Sequence, residues 1–280
     1  MRMRFATIPT IAILFTTLAA AACGGSGTRI IPGPTDPPPV IIDPPPPPPP
    51  PDPLPTLGSV TRILAFGDSL TEGESTGQLL WDAYTSHDHS TPGKSTSYPY
   101  KLQTLLDTTY GDGKIRVFNG GRGGEFVIRG ETKQRMIDEI VQYKPHVMLF
   151  MHGVNDLNLG VAEDEDADQT INNVIAAIEE LIEIAKVTGS PKPHVMVASL
   201  PRQTESTKAR AGQLIVPFNE VLLDVAGEES ATFVDVYKVV SSGMLMPDGL
   251  HITPEGNQKI ADAFFAAIKK KYNKEPAALR

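Results

Sequence analysis

Five short apolar segments, at residues 62–66, 115–119, 146–151, 194–199 and 232–236, alternate with stretches of helical character. That alternation predicts a parallel β-sheet covered by helices on both faces, an α/β chain with three layers. The helical pattern is clearest in Ile171, Val174, Ile175, Ile178, Leu181, Ile182 and Ala185, whose spacings of three and four put them on one apolar face. A last helix is expected to start with Thr253 as its cap and Pro254 in the first position, where the missing N–H costs nothing. Its apolar face would use Ile260, Phe264 and Ile268.

The N-terminal part cannot belong to that sheet. Arg2 and Arg4 precede an apolar run from Ile8 to Ala22, the pattern of a signal peptide over residues 1–22, and the run is too short for a comfortable membrane span. The one cysteine of the chain, Cys23, follows Ala20, Ala21 and Ala22 and is expected to be lipidated after cleavage. A single cysteine also excludes an intramolecular disulfide. Residues 23–56 read as a disordered, proline-rich stalk, with uninterrupted proline at 44–51. At about 3.1 Å per residue in polyproline II, that run alone spans roughly 25 Å. The expected location is therefore the bacterial cell envelope, as an exported lipoprotein held to a membrane by its N-terminal lipid. Gly24 after the cysteine, where inner-membrane retention favours aspartate, points to the outer membrane.

The remainder, residues 57–280, has the apolar content for one ordinary globular domain, the whole chain being 40% hydrophobic. The formal net charge of −8 leaves no basic footprint for nucleic acid. The acidic run Glu163, Asp164, Glu165 and Asp166, with Asp168 after it, suits a helix N-terminus better than a calcium site.

Four segments then supply the parts of one chemistry: Gly67-Asp68-Ser69-Leu70, Asn119-Gly120-Gly121-Arg122-Gly123-Gly124, Gly153-Val154-Asn155-Asp156 and Asp248-Gly249-Leu250-His251. A serine hydroxyl is a weak nucleophile at neutral pH and needs an imidazole to take its proton, with a carboxylate to orient the ring. Asp248 and His251, three residues apart, offer that pair for Ser69. Negative charge developing on an attacked carbonyl needs N–H donors. The backbone of Ser69, the backbone of Gly121 and the side-chain amide of Asn155 are the candidates. Ser69, Gly121 and Asn155 each follow a predicted strand by a few residues, so they converge on the carboxyl edge of the sheet, where ligands bind in open α/β folds.

In that order, Ser69, Gly121, Asn155 and His251 resemble the signature residues of the SGNH/GDSL hydrolase superfamily, and Gly-Asp-Ser-Leu is its name-giving motif. The resemblance covers roughly residues 60–272. Gly121 is chosen because the pattern Asn-x-Gly-x-x-Gly aligns on Asn119, Gly121 and Gly124. The resemblance implies a flavodoxin-like fold with a five-stranded parallel sheet and esterase chemistry through an acyl-enzyme. Ser69 would be the nucleophile, His251 the base and Asp248 its partner, with Ser69, Gly121 and Asn155 as the oxyanion hole and no metal or organic cofactor.

Among the other histidines, His146 and His194 fall at strand starts, away from the active edge, and His87 and His89 flank Asp88 without an evident third metal ligand. His152 follows the third strand and is expected to line the substrate pocket. The insertion at 74–97 carries Trp81 and Tyr84, whose flat faces would suit a sugar or an aromatic acyl group. No long apolar lid is visible, which favours small-acyl or carbohydrate esters. Lysophospholipase or thioesterase chemistry would use the same residues, and the competing class is a surface-binding lipoprotein without catalysis. The sequence does not fix an oligomeric state.

Overall fold

The computed structural model describes residues 54–73, 89–206 and 208–275. The chain order is β1 (Arg62–Gly67), α1 (Ser69–Glu72), α2 (Tyr98–Tyr110), β2 (Arg116–Gly121), α3 (Gly130–Tyr143), β3 (Val147–Met151), α4 (Val154–Ala162), α5 (Ala167–Val187) and β4 (His194–Ala198). It continues through α6 (Ile215–Glu228), β5 (Thr232–Val234), α7 (Val236–Val239) and α8 (Pro254–Tyr272). The five strands form one sheet in the order β2-β1-β3-β4-β5, and every pairing is parallel.

Crossover handedness explains the layers. The chain leaves β1 in one direction to reach β2, then turns back across β1 to β3 and continues outward to β4 and β5. Right-handed crossovers therefore place α2 on one face of the sheet and α3, α5 and α6 on the other. The contacts agree: α3 packs on α5 and α5 on α6, while α8 packs on α2. Because both faces are covered, the central strands are continuously apolar, and all of β3 is buried.

The helix readings hold residue by residue. The seven expected apolar positions of α5 are all buried, and Asp166 caps its start by accepting from the Gln169 amide at 3.0 Å. Thr253 caps α8 through the Gly256 amide at 3.2 Å, and Ile260, Phe264 and Ile268 are fully buried. The fifth strand is shorter than expected. Asp235 accepts from the Lys238 amide at 3.0 Å and so starts α7, which removes Val236 from the strand.

The reversal of direction at β1 opens a crevice between the carboxyl ends of β1 and β3. Ser69 stands two residues past the end of β1, and Asn155 in the first turn of the helix after β3.

Candidate active site

Ser69 is presented by a turn that its own neighbours build. Asp68 has extended backbone and caps α1, its Oδ1 accepting from the Leu70 amide at 3.0 Å. Ser69 is thus the first helical residue, and its backbone N–H has no hydrogen-bond partner among the described residues, as expected for a helix start. The turn is pinned from behind by the Thr71 hydroxyl, which donates to the Met151 carbonyl and lies the same 3.3 Å from the Tyr98 hydroxyl.

His251 Nε2 lies 3.0 Å from Ser69 Oγ, and His251 Nδ1 lies 2.6 Å from Asp248 Oδ2. The carboxylate holds the ring proton on Nδ1, which leaves Nε2 to accept from the serine hydroxyl. Asp248 is fixed in turn, because its Oδ1 accepts from the Leu250 and His251 amides at 3.1 and 3.0 Å. Burial alone would raise the Asp248 carboxyl, but the His251 ring and those two amides hold it below the usual carboxylate range. A segment that the sequence did not single out supports this loop. Thr204 donates its amide to the Gly249 carbonyl at 2.9 Å, the Ser206 hydroxyl donates to the Asp248 carbonyl, and Lys208 Nζ stands 3.9 Å from Asp248 Oδ2.

Asn155 sits where it was expected, half-buried at the start of α4, and its Nδ2 donates to the Glu125 carbonyl at 2.9 Å. Gly121 does not serve as expected. It is the last residue of β2, and its N–H donates to Asn119 Oδ1 at 3.0 Å, so it is not available to an oxyanion. Its lack of a side chain serves packing instead: a Cβ there would fall 2.1 Å from the Glu72 amide nitrogen. The glycine loop offers a different donor. Gly123 gives its N–H to Glu72 Oε2 at 2.8 Å, whereas Gly124 is exposed, has a left-handed φ of +72°, and makes no backbone N–H bond among the described residues. The motif Asn-x-Gly-x-x-Gly contained this residue as its last position, but sequence offered no way to see which amide β2 and Asn119 consume.

His152 is also misplaced by the sequence reading. Its side chain is fully buried and lines no open surface. Nε2 lies 3.2 Å from Glu125 Oε2 and Nδ1 3.5 Å from Asp68 Oδ2, while the Phe66 and Phe150 rings, stacked on each other, both have centroids 6.1 Å from the imidazole. Burial disfavours the imidazolium, yet the two carboxylates outweigh it and the ring is raised to about 9. The network runs on from there. Burial would raise Glu125, but His152 and Arg135 hold it down at about 2. Arg135 Nε donates to Glu125 Oε1 at 2.9 Å and Nη1 to Glu139 Oε1 at 2.7 Å, with the guanidinium 3.9 Å from the Phe66 ring centroid. His89 Nδ1 closes the series, 2.7 Å from Glu139 Oε1.

The remaining expectations divide by location. Cys23, Trp81, Tyr84, His87 and Asp88 lie outside the described residues, as do the signal peptide and most of the stalk. His194 bonds Thr232 Oγ1 at 2.8 Å and His146 accepts from the Thr61 amide at 3.4 Å, both at the amino end of the sheet. Among the described residues no helix is long and apolar enough to cross a membrane, and no group of three or more His, Cys, Asp or Glu could hold a metal ion.

Comparison with known proteins agrees with this geometry. The GDSL-like Lipase/Acylhydrolase family matches residues 65–259, a span that includes Ser69, Asn155, Asp248 and His251. A search of curated proteins gives no match. Solved structures share the fold. An acetylxylan esterase from Geobacillus stearothermophilus superposes with a TM-score of 0.57 at 19% identity, covering 77% of this chain and 97% of its own. A carbohydrate acetylesterase family member from Sinorhizobium meliloti gives 0.58 at 18% identity over 75% and 98%. A lipase/acylhydrolase from Enterococcus faecalis gives 0.56 at 21% identity over 78% and 100%. The family match covers most of the chain, and the serine, histidine and aspartate within it stand in contact: this chain belongs to the GDSL-like lipase/acylhydrolase family and is a serine ester hydrolase.

Proposed function

We propose that the chain hydrolyses small-acyl esters, with carbohydrate esters as the leading substrate class, through an acyl-enzyme on Ser69. The observation that carries the reading is the continuous contact from Ser69 Oγ to His251 Nε2 at 3.0 Å and from His251 Nδ1 to Asp248 Oδ2 at 2.6 Å. His251 takes the Ser69 proton as Oγ bonds to the acyl carbon, then gives it to the departing alcohol. Water reverses the sequence and releases the acid. The Ser69 and Gly124 amides and the second N–H of the Asn155 side chain are the donors for the oxyanion. The choice of carbohydrate esters is supported by the sequence, which shows no long apolar lid and carries Trp81 and Tyr84 in the insertion. The names of two fold neighbours, an acetylxylan esterase and a carbohydrate acetylesterase, make acetylated xylan the first polymer to try.

We further propose that the protein is exported and anchored in the cell envelope through lipidated Cys23, with residues 23–56 as a spacer. The basic start, the short apolar run and the position of Cys23 after three alanines support this. Loss of membrane partitioning in Cys23→Ala tests it, and unchanged partitioning of that variant overturns it.

The enzymatic test is hydrolysis of an acyl-length series of p-nitrophenyl esters beside acetylated xylan, with Ser69→Ala in parallel. Serine-dependent acetate release from the polymer is the expected result. Activity restricted to long-chain esters would turn the reading to lipid substrates, and equal rates for Ser69→Ala and wild type would remove Ser69 as the nucleophile.

A further inference from the structure

The mechanism above leaves unused a buried ionisable side chain that lies next to both halves of the catalytic machinery. His152 occupies the first position after β3, with no exposed side-chain surface. On one side is Asp68, the residue that caps α1 and directly precedes Ser69. On the other is Glu125, whose carboxylate faces the ring and whose backbone carbonyl receives the Asn155 amide. One imidazole thus bridges the turn that presents the nucleophile and the loop that orients an oxyanion donor.

We propose that His152 is a positioning residue for ester hydrolysis, acting as a buried imidazolium that clamps the Ser69 turn through Asp68 and the Asn155 donor through Glu125. The inference rests on the esterase reading of Ser69 and Asn155 and deepens it.

The geometry supplies two states for the clamp. As the cation, the ring directs Nδ1–H toward Asp68 Oδ2 at 3.5 Å and Nε2–H toward Glu125 Oε2 at 3.2 Å. The neutral ring with its proton on Nε2 has a lone pair at Nδ1, and the Gly153 amide lies 2.9 Å from that atom. Deprotonation therefore gives up the charge contact with the serine turn and keeps only the hydrogen bond received from Gly153, the residue that caps α4, the helix carrying Asn155. Asp68 Oδ2 has no hydrogen-bond partner and meets His152 Nδ1 only at ion-pair distance, so loss of the ring's charge leaves this buried carboxylate oxygen without the one cation facing it among the described residues.

The charges around the ring favour the first state at neutral pH. Asp68 faces it from the β1 turn and Glu125 from the glycine loop, with Asp156 of α4 adding to the negative field. Arg135 of α3 is spent on Glu125 and Glu139, and Arg122 Nη1 stands 3.6 Å from Glu125 Oε1, so both cations act through Glu125. With the ring raised to about 9, the clamp is closed at neutral pH and releases in the alkaline range.

A merely structural histidine would affect folding without shaping the pH profile, so the profile is the test. Steady-state kcat and KM for a short p-nitrophenyl ester are measured from pH 6 to 10, corrected for spontaneous hydrolysis, in wild type, His152→Gln, Asp68→Asn and Ser69→Ala. The expected wild-type result is an alkaline fall in kcat with little change in KM. His152→Gln is expected to lose about tenfold in kcat at pH 7, a part of the roughly 10²–10³ that a whole oxyanion donor is worth, and to lack the alkaline fall. Asp68→Asn removes one of the two charges that hold the proton, so its alkaline fall moves to lower pH by about one unit or more. That variant tests the clamp even where His152→Gln fails to fold. A folded His152→Gln with wild-type kcat and the same alkaline limb, or an unmoved limb in Asp68→Asn, overturns the proposal. Wild-type rates for Ser69→Ala would instead overturn the esterase reading beneath it.

Discussion

The side-chain amide of Asn155 donates one N–H to the backbone carbonyl of Glu125 at 2.9 Å, which fixes the amide plane and leaves the second N–H for substrate. An oxyanion donor is effective in proportion to its preorganisation, because a side chain held before the reaction has no ordering cost at the transition state. Asn155→Ala is therefore expected to lower kcat by about 10²–10³ with a small effect on KM. Steady-state kinetics on a short p-nitrophenyl ester measure both parameters. A loss confined to KM would instead assign Asn155 to ground-state binding.

The two glycines of the second motif separate by the same reasoning. A Cβ on Gly121 meets the Glu72 nitrogen at 2.1 Å and the Thr71 carbonyl carbon at 2.6 Å, both backbone atoms that cannot turn away. Gly121→Ala is expected to destabilise the fold by roughly 1–3 kcal/mol or more, the cost of an overpacked site, and so to lower the Tm clearly. A Cβ on Gly124 meets nothing within 4 Å, but the φ of +72° disfavours it. Gly124→Ala is expected to cost about 1–2 kcal/mol in stability and to reduce kcat as the loop relaxes out of the left-handed conformation. Thermal melts beside kcat distinguish the pair: the outcome that reverses this assignment is a catalytic defect without a stability defect in Gly121→Ala.

Much of this site was legible because its parts sit at predictable places in the chain. Ser69 and Asn155 follow strands that their apolar runs disclose, and His251 has its carboxylate three residues upstream. The burial of α5 follows directly from the spacing of Ile171, Val174, Ile178 and their neighbours. What escaped the sequence is hydrogen-bond allocation. Nothing in the motif around Asn119 says that its side-chain Oδ1 takes the Gly121 amide and leaves that of Gly124. Nor does a histidine after a strand announce whether it faces solvent or two carboxylates. Glu125 and Asp68 come from other loops, and only the fold brings them to His152.

Asp248 contributes through the ring it holds. Asp248→Asn removes the acceptor that keeps the His251 proton on Nδ1, and an amide nitrogen turned toward the ring would favour the wrong tautomer. The same change in a serine triad costs about 10⁴ in kcat. A loss of that order, about 10³–10⁴, is expected here, with the far-UV circular dichroism spectrum unchanged. Retention of more than a tenth of wild-type activity would mean that another group orients His251.

The buried charge network also predicts how stability depends on pH, with opposite signs at its two ends. Glu125 is held down at about 2, below its ordinary value, so its contribution is present above about pH 4.5 and is lost as the pH falls through 2. His152 is raised to about 9 from 6.5, so its contribution is complete below about pH 6.5 and is lost as the pH rises through 9. At 1.36 kcal/mol for each tenfold in proton affinity, the alkaline loss has an upper bound of about 3 kcal/mol. Urea unfolding at pH 6.5 and pH 10 measures it, and His152→Gln separates it from lysine and tyrosine titration. The variant is expected to be less stable than wild type at pH 6.5 and to lose less on going to pH 10. Parallel curves for the two proteins would show that folding does not change the proton affinity of His152, and the alkaline dependence would then belong to other groups.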